Sequence, residues 1–153
     1  MDALDLKILE HLTRNARCRA SALSQEVNLS VSAVIERMRK LEESGVIQSY
    51  TAVLDQKLLG NDIAAWVEIR LEHPRFFDSF SGCVLAHPNI LTCHYLTGDY
   101  DFILYVVAKS SEALEAIHRE ITGIPGVSSA KTHFVLKTVK ENTSGIEASA
   151  ARP

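Results

Sequence analysis

The stretch LSQEVNLSVSAVIERMRKLEESGVI, from Leu23 to Ile47, spells a short helix, a tight turn and a longer helix. Ser30 stands just ahead of the periodic run, where its hydroxyl can accept from an amide two or three residues on. Val34, Met38 and Leu41 recur at helical spacing as one apolar stripe, and Ser32, Ala33, Glu36, Arg39 and Lys40 occupy the other side. Gly45 can close the helix in the left-handed conformation, with Leu41 and Val46 placed for the accompanying apolar contact. The longer helix is therefore expected from about Val31 to Ser44.

Before it, Ala22, Leu23 and Val27 give the short helix an inner face, and Asn28 ends it, Asn tolerating a positive backbone angle better than most residues. Two helices joined by a turn of three or four residues outline a helix-turn-helix, whose second helix enters the major groove with its first turns against the base edges. Small side chains at Ser32 and Ala33 permit close approach, and Ser32 can hydrogen-bond a base or a phosphate. From Arg14 to Lys40 six basic residues (Arg14, Arg17, Arg19, Arg37, Arg39, Lys40) stand against Glu26 and Glu36, on a chain of net charge -3. Such asymmetry is the footprint of a phosphate-binding surface, although a solvated helix face has the same composition.

Outward from this module, Asp2 caps an amphipathic helix to Arg14 with Leu4, Ile8, Leu9 and Leu12 on one face, which supplies a third helix. After Gly45 the composition changes: Val46–Leu54 is rich in β-branched residues and is expected to be a strand leaving the helical domain. The polar segment that follows places a domain boundary near Gly60.

The second half alternates strand and helix. Strands are expected over Ile63–Glu72, Ile90–Leu96, Asp101–Ala108 and Val127–Val139. Helices are expected over Pro74–Ala86, on Phe77, Phe80 and Val84, and around Leu114, Ile117 and Ile121 behind the caps Ser110 and Ser111. His87-Pro88-Asn89 and Ile124-Pro125-Gly126 echo one another between helix and strand, so βαββαβ is two units in tandem, a ferredoxin-like split. That fold leaves one sheet face bare. With Trp66, Tyr95 and Tyr105 expected on it, the face is expected to meet the same face of a second chain, as a dimer reading a pseudo-palindromic site.

The turn Gly98-Asp99-Tyr100-Asp101 has two readings. It is a hairpin turn of ordinary turn formers, or its amides hold a carboxylate while Asp99 or Asp101 meets an ammonium, as a free amino acid requires.

At 153 residues, 46% hydrophobic and 23% charged, the chain has the composition of a soluble globular protein. No apolar run reaches membrane-spanning length and the N-terminus is acidic, so the expectation is a cytoplasmic protein without membrane contact. Cys18, Cys83 and Cys93 form no C-x-x-C pair and are read as reduced thiols; the six histidines lack ligand spacing, so neither metal nor cofactor is assigned.

LDLKIL (Leu4–Leu9), LSVSAVIERMRKLEESGVIQSYTAVLD (Leu29–Asp55), TGDYDFIL (Thr97–Leu104) and IPGVSSAKTHFVL (from Ile124) together resemble the Lrp/AsnC, or feast/famine, family of transcriptional regulators, from Leu4 to about Lys140. The resemblance implies an α+β chain: a winged-type helix-turn-helix domain in residues 1–60 and a ferredoxin-like βαββαβ domain for effector binding and oligomerisation in 61–141; beyond it, the small, polar composition of 142–153 is expected to make a flexible tail. It implies no catalytic residue, double-stranded DNA as partner, dimers assembling into higher oligomers, often octamers, and an amino-acid effector bound between dimers. DNA contacts then fall on Ser30, Ser32, Ala33, Glu36, Arg37 and Lys40. The effector site falls on Gly98, Asp99, Tyr100 and Asp101, with Thr132 and His133 supplied by a neighbouring dimer.

Residue by residue, Arg37 is equally a partner of Glu42 or Asp5, Glu36 equally a group that orients Arg39 or Lys40, and His133 more often a sheet histidine than a ligand. Arg19, Asn28, Val31 and Ala33 depart from the residues usual in the family, so base preference does not transfer. Two other classes share the architecture: a sirohaem-decarboxylating branch, to which His94, His118 and His133 would be relevant, and an amino-acid sensor without DNA binding.

Overall fold

A computed structural model describes residues 1–141; the expected tail from Asn142 lies outside the described residues. The chain divides by its packing into two units, Met1–Val53 together with the described Lys140 and Glu141, and Leu54–Val139.

In the first unit α1 (Ala3–Arg14), α2 (Ala20–Glu26) and α3 (Val31–Glu43) bury Ile8, Leu9, Leu12, Leu23, Val27, Val34 and Leu41 against one another. Helix α1 starts in a capping box: Asp2 accepts from the Asp5 amide and Asp5 from the Asp2 amide, at 2.9 and 2.8 Å. Helix α3 starts at Ser30, whose Oγ accepts the Ala33 amide at 3.2 Å. It ends through Gly45 at φ +75°, and Asn28 takes φ +52° in the turn before it. Three details differ from expectation. Ala22 is exposed and Ser24 is buried beside Leu23, its hydroxyl donating to the Ser21 carbonyl at 2.8 Å. The apolar contact at the end of α3 comes from Ile47, whose amide donates to the Leu41 carbonyl, while Val46 is half exposed. Val46–Leu54 forms no strand: β-branched composition prepares a strand, but the ladder needs a partner, and among the described residues none pairs with it. Tyr50 anchors the segment instead, donating to Glu42 at 2.8 Å.

The second unit holds β1 (Ile63–Leu71), α4 (Phe77–Leu85, after a 3-10 turn at Pro74–Phe76), β2 (Ile90–Tyr95), β3 (Phe102–Ala108), α5 (Ser111–Thr122) and β4 (Val127–Phe134). The strands form one antiparallel sheet in the order β2-β3-β1-β4, the order of a ferredoxin-like βαββαβ domain. Ala65, Val67 and Ile69 of β1 and Phe102, Leu104 and Val106 of β3 pack under Phe80 and Val84 of α4 and Leu114, Ile117 and Ile121 of α5. The two X-Pro turns are equivalent, each closed three residues on, Ile90 amide to His87 carbonyl and Val127 amide to Ile124 carbonyl. Only the second has a left-handed residue, Gly126 at φ +91°.

The other sheet face carries Trp66, Glu68, Ile103, Tyr105, Lys131 and His133, with the Trp66 and Tyr105 rings 4.8 Å apart. Tyr95, expected there, lies on the helix side: it is paired with Phe102, and its ring meets Phe77 and Phe102. A register shift between Ile90 and Thr92 means that counting residues along β2 does not by itself fix which face a side chain takes.

Candidate DNA-reading and effector sites

The outer surface of α3 is set by its own core. Val34 and Leu41 point inward, so Val31, Ser32, Ile35, Glu36, Arg39 and Lys40 are exposed. Of the six expected DNA contacts, Ser30, Ser32, Glu36 and Lys40 are on this exposed surface, with Ser30 and Ser32 joined hydroxyl to hydroxyl at 3.1 Å. Ala33 and Arg37 are half buried on the flank toward Asp5, and both line a groove with Glu36, Lys40 and Val46.

Arg37 is committed within the fold. Its Nη1 donates to Asp2 Oδ2 at 2.8 Å and to Asp5 Oδ1 at 2.7 Å, tying the middle of α3 to the capping box of α1. Both carboxyls are held below their ordinary value of 3.8, first by the amides of the capping box and then by the Arg37 guanidinium. A depressed carboxyl stabilises the fold fully above its unfolded value and loses that contribution as pH falls through the folded one. Arg37→Gln is therefore expected to move the acid unfolding of the helical unit to higher pH, measured by far-UV circular dichroism. Acid unfolding of Arg37→Gln at the wild-type pH would contradict the clamp.

The basic excess read from the sequence is largely met by carboxylates. Arg14 pairs with Glu10 at 2.6 Å, Arg39 with Glu36 at 2.8 Å and also with Glu43, and Lys40 approaches Glu36 at 3.6 Å. Over Met1–Val53 seven basic residues face seven acidic ones. Arg17, exposed in the turn before α2, and Arg19, exposed at its N-cap, are the cations of the window with no carboxylate within ion-pair distance among the described residues. Arg19 also occupies the N-cap of α2 without a side-chain cap. Ile35 is a surface residue that sequence reasoning passed over, and Val31 was noted there only as the helix start and as a departure from the residues usual in the family; the signal of both was an apolar side chain outside the Val34–Met38–Leu41 stripe.

The turn Gly98–Asp101 closes β2 onto β3, the Leu96 amide donating to the Asp101 carbonyl at 2.8 Å, with Gly98 at φ +125°. Asp101 is an internal brace: its amide donates to the Ile69 carbonyl at 2.8 Å, and its Oδ2 accepts the Leu71 amide at 2.7 Å. Asp99 is exposed and makes no such bond. Asp101→Ala removes the acceptor of the Leu71 amide and is expected to cost about 1–3 kcal/mol, measured by denaturant unfolding. An unchanged midpoint would remove the brace.

Thr132 and His133 do not join the turn within one chain. They lie on β4, beyond β1, opposite Val67 and Trp66, and point to opposite faces of the sheet. Thr132 Oγ1 meets His118 Nδ1 at 3.0 Å on the helix side; His133 Nε2 meets Glu68 at 3.2 Å on the open side.

Comparison with known proteins bears on both units. Residues 64–145 match a family model described as Lrp/AsnC ligand binding domain, and residues 1–48 one described as winged helix-turn-helix DNA-binding. The chain is 35% identical over 144 residues to a leucine-responsive regulatory protein of Haemophilus influenzae, covering 92% of this chain and 87% of that one. It is 36% identical over 142 residues to the Bkd operon transcriptional regulator of Pseudomonas aeruginosa, covering 91% and 93%. Among solved structures it is similar to a transcriptional regulator of Neisseria meningitidis in complex with L-Met, at TM-score 0.90 and 29% identity over 94% and 95% of the two chains. Similarity to AsnC of E. coli reaches TM-score 0.87 at 26% identity over 94% and 97%.

Proposed function

The chain belongs to the Lrp/AsnC family of DNA-binding transcriptional regulators, and from that premise we propose that α3 reads base edges through Ser30, Ser32, Glu36 and Lys40 while an amino-acid effector adjusts the assembly that presents it. The observation that carries the DNA reading is the capped α3, its polar N-terminal surface facing away from a core held by Val34 and Leu41. Arg17 and Arg19 supply phosphate contacts that orient it. Arg37 serves chiefly to hold α3 on α1.

The effector reading rests on the ligand-binding-domain match and on the L-Met complex of the Neisseria relative. Its site is assigned to Gly98, Asp99, Tyr100 and Asp101, with Thr132 and His133 from another copy, since one chain leaves these two groups apart. With Asp101 engaged by Leu71, Asp99 is the carboxylate available to an ammonium. Two copies meet through the open sheet face, where half-buried Trp66 and Tyr105 lie opposite the face that α4 and α5 of the same unit cover, and dimers associate further, up to octamers. An effector bound between dimers shifts the balance of assemblies and hence the spacing of paired recognition helices. The protein acts in the cytoplasm; no helix of the described residues is long and apolar enough to cross a membrane.

The enzyme reading is not favoured by the geometry. His118 is on the helix side of the domain, while His94 and His133 lie on the open face, on the outermost strands of the sheet.

Selection from genomic duplexes at physiological salt, repeated with a pool of amino acids, tests the proposal. One enriched pseudo-palindromic site, with sedimentation and enrichment both altered by the pool, is the expected result. Enrichment indifferent to all twenty amino acids would overturn the effector; absence of enrichment would overturn the DNA reading.

A further inference from the structure

The recognition helix carries an apolar pair that its own fold does not use. Val31 is 41% and Ile35 54% exposed, and neither belongs to the cluster that holds the three helices together. They stand one turn apart in the first two turns of α3. Exposed β-branched residues weaken a helix slightly, so local stability gives no reason for either. On the same exposed surface lie Ser32 and the ion-paired Glu36, Arg39 and Lys40, while Arg17 and Arg19, just ahead of the preceding helix, have no carboxylate partner among the described residues.

In the major groove a thymine presents a C5 methyl that no other base carries, and an aliphatic side chain is the group that recognises it. We propose that Ile35, supported by Val31 one turn before it, reads a thymine methyl and is a specificity-determining residue at one base pair of the site. This rests on the DNA-reading function above and adds to it a base identity. An aliphatic side chain has no hydrogen bond to offer a base edge, so its contribution is burial of methyl against methyl. Ile35 then complements Ser32 and Glu36, which read donors and acceptors.

The test uses the full chain and a duplex selected by it, with thymines replaced one at a time by deoxyuridine. That exchange removes the methyl and leaves the hydrogen-bonding edge intact. The wild type is expected to lose roughly three- to tenfold in affinity at one position, the worth of about one buried methyl. Ile35→Ala is expected to bind the thymine and deoxyuridine duplexes equally there, with unfolding unchanged because the site is exposed and alanine favours the helix. Ile35→Val should retain part of the discrimination. A wild type indifferent to the methyl at every thymine, or an Ile35→Ala protein that still discriminates, would overturn the proposal. Retained discrimination together with altered sedimentation of free Ile35→Ala would assign the pair to contact between copies instead. Specific binding that persists without methyl dependence sinks this inference alone, whereas failure to select any duplex sinks the DNA reading beneath it.

Discussion

Gly126→Ala is expected to lower the stability of the C-terminal unit by about 2–5 kcal/mol, from left-handed strain of about 1–2 kcal/mol plus overpacking of about 1–3 kcal/mol. Gly126 has φ +91°, and a Cβ built there would lie 2.1–2.6 Å from Phe76 ring and Cβ atoms. The ring cannot step aside freely. Phe76 leads into α4 and carries the Arg75 guanidinium 4.8 Å over its face, while the Gly126 carbonyl is held by the Glu72 amide at 2.8 Å. Trp66 is the chain's one tryptophan and sits on β1, so its fluorescence reports this unit alone. A denaturant midpoint for Trp66 fluorescence equal to that of the wild type would contradict the packing described.

Val34→Asp acts on the other unit. Val34 is fully buried, in contact with the cluster that holds α1, α2 and α3 together, and a carboxyl there has no partner. Losing the apolar contact and burying an unpaired polar group is expected to cost about 4 kcal/mol or more, enough to unfold a small helical domain. Specific DNA binding should vanish, while the Trp66 transition stays near the wild-type midpoint. Retained specific binding would mean that α3 does not depend on this core for its position.

Periodicity and caps made most of this architecture legible. Val34, Met38 and Leu41 gave α3 its inner face, Ser30 its start and Gly45 its end, and the structure has all of them in those roles. Phe80, Val84, Leu114, Ile117 and Ile121 likewise marked the helices that cover the sheet. What the sequence left unread depends on distant partners. Val46–Leu54 has strand composition, yet a strand exists only where another lies beside it. Tyr95 turned to the helix side because its face is set by pairing with Phe102 across a register shift, which alternation along one strand does not reveal. The basic excess between Arg14 and Lys40 looked uncompensated because Asp2, Asp5, Glu10 and Glu43 lie outside that window and reach into it through helical spacing or packing. The Gly98–Asp101 turn was legible as a turn, but only the fold shows Asp101 bonded to the Leu71 amide, which leaves Asp99 as the freer carboxylate.

The most direct measurement is the affinity of the purified chain for its selected duplex and for a scrambled duplex of the same composition, across a salt series. A recognition helix presented as described predicts a preference of roughly a thousandfold or more at physiological salt, with both affinities falling as salt rises. Equal affinity for the two duplexes would contradict the account, since Arg17 and Arg19 alone would then suffice for everything the helical unit does.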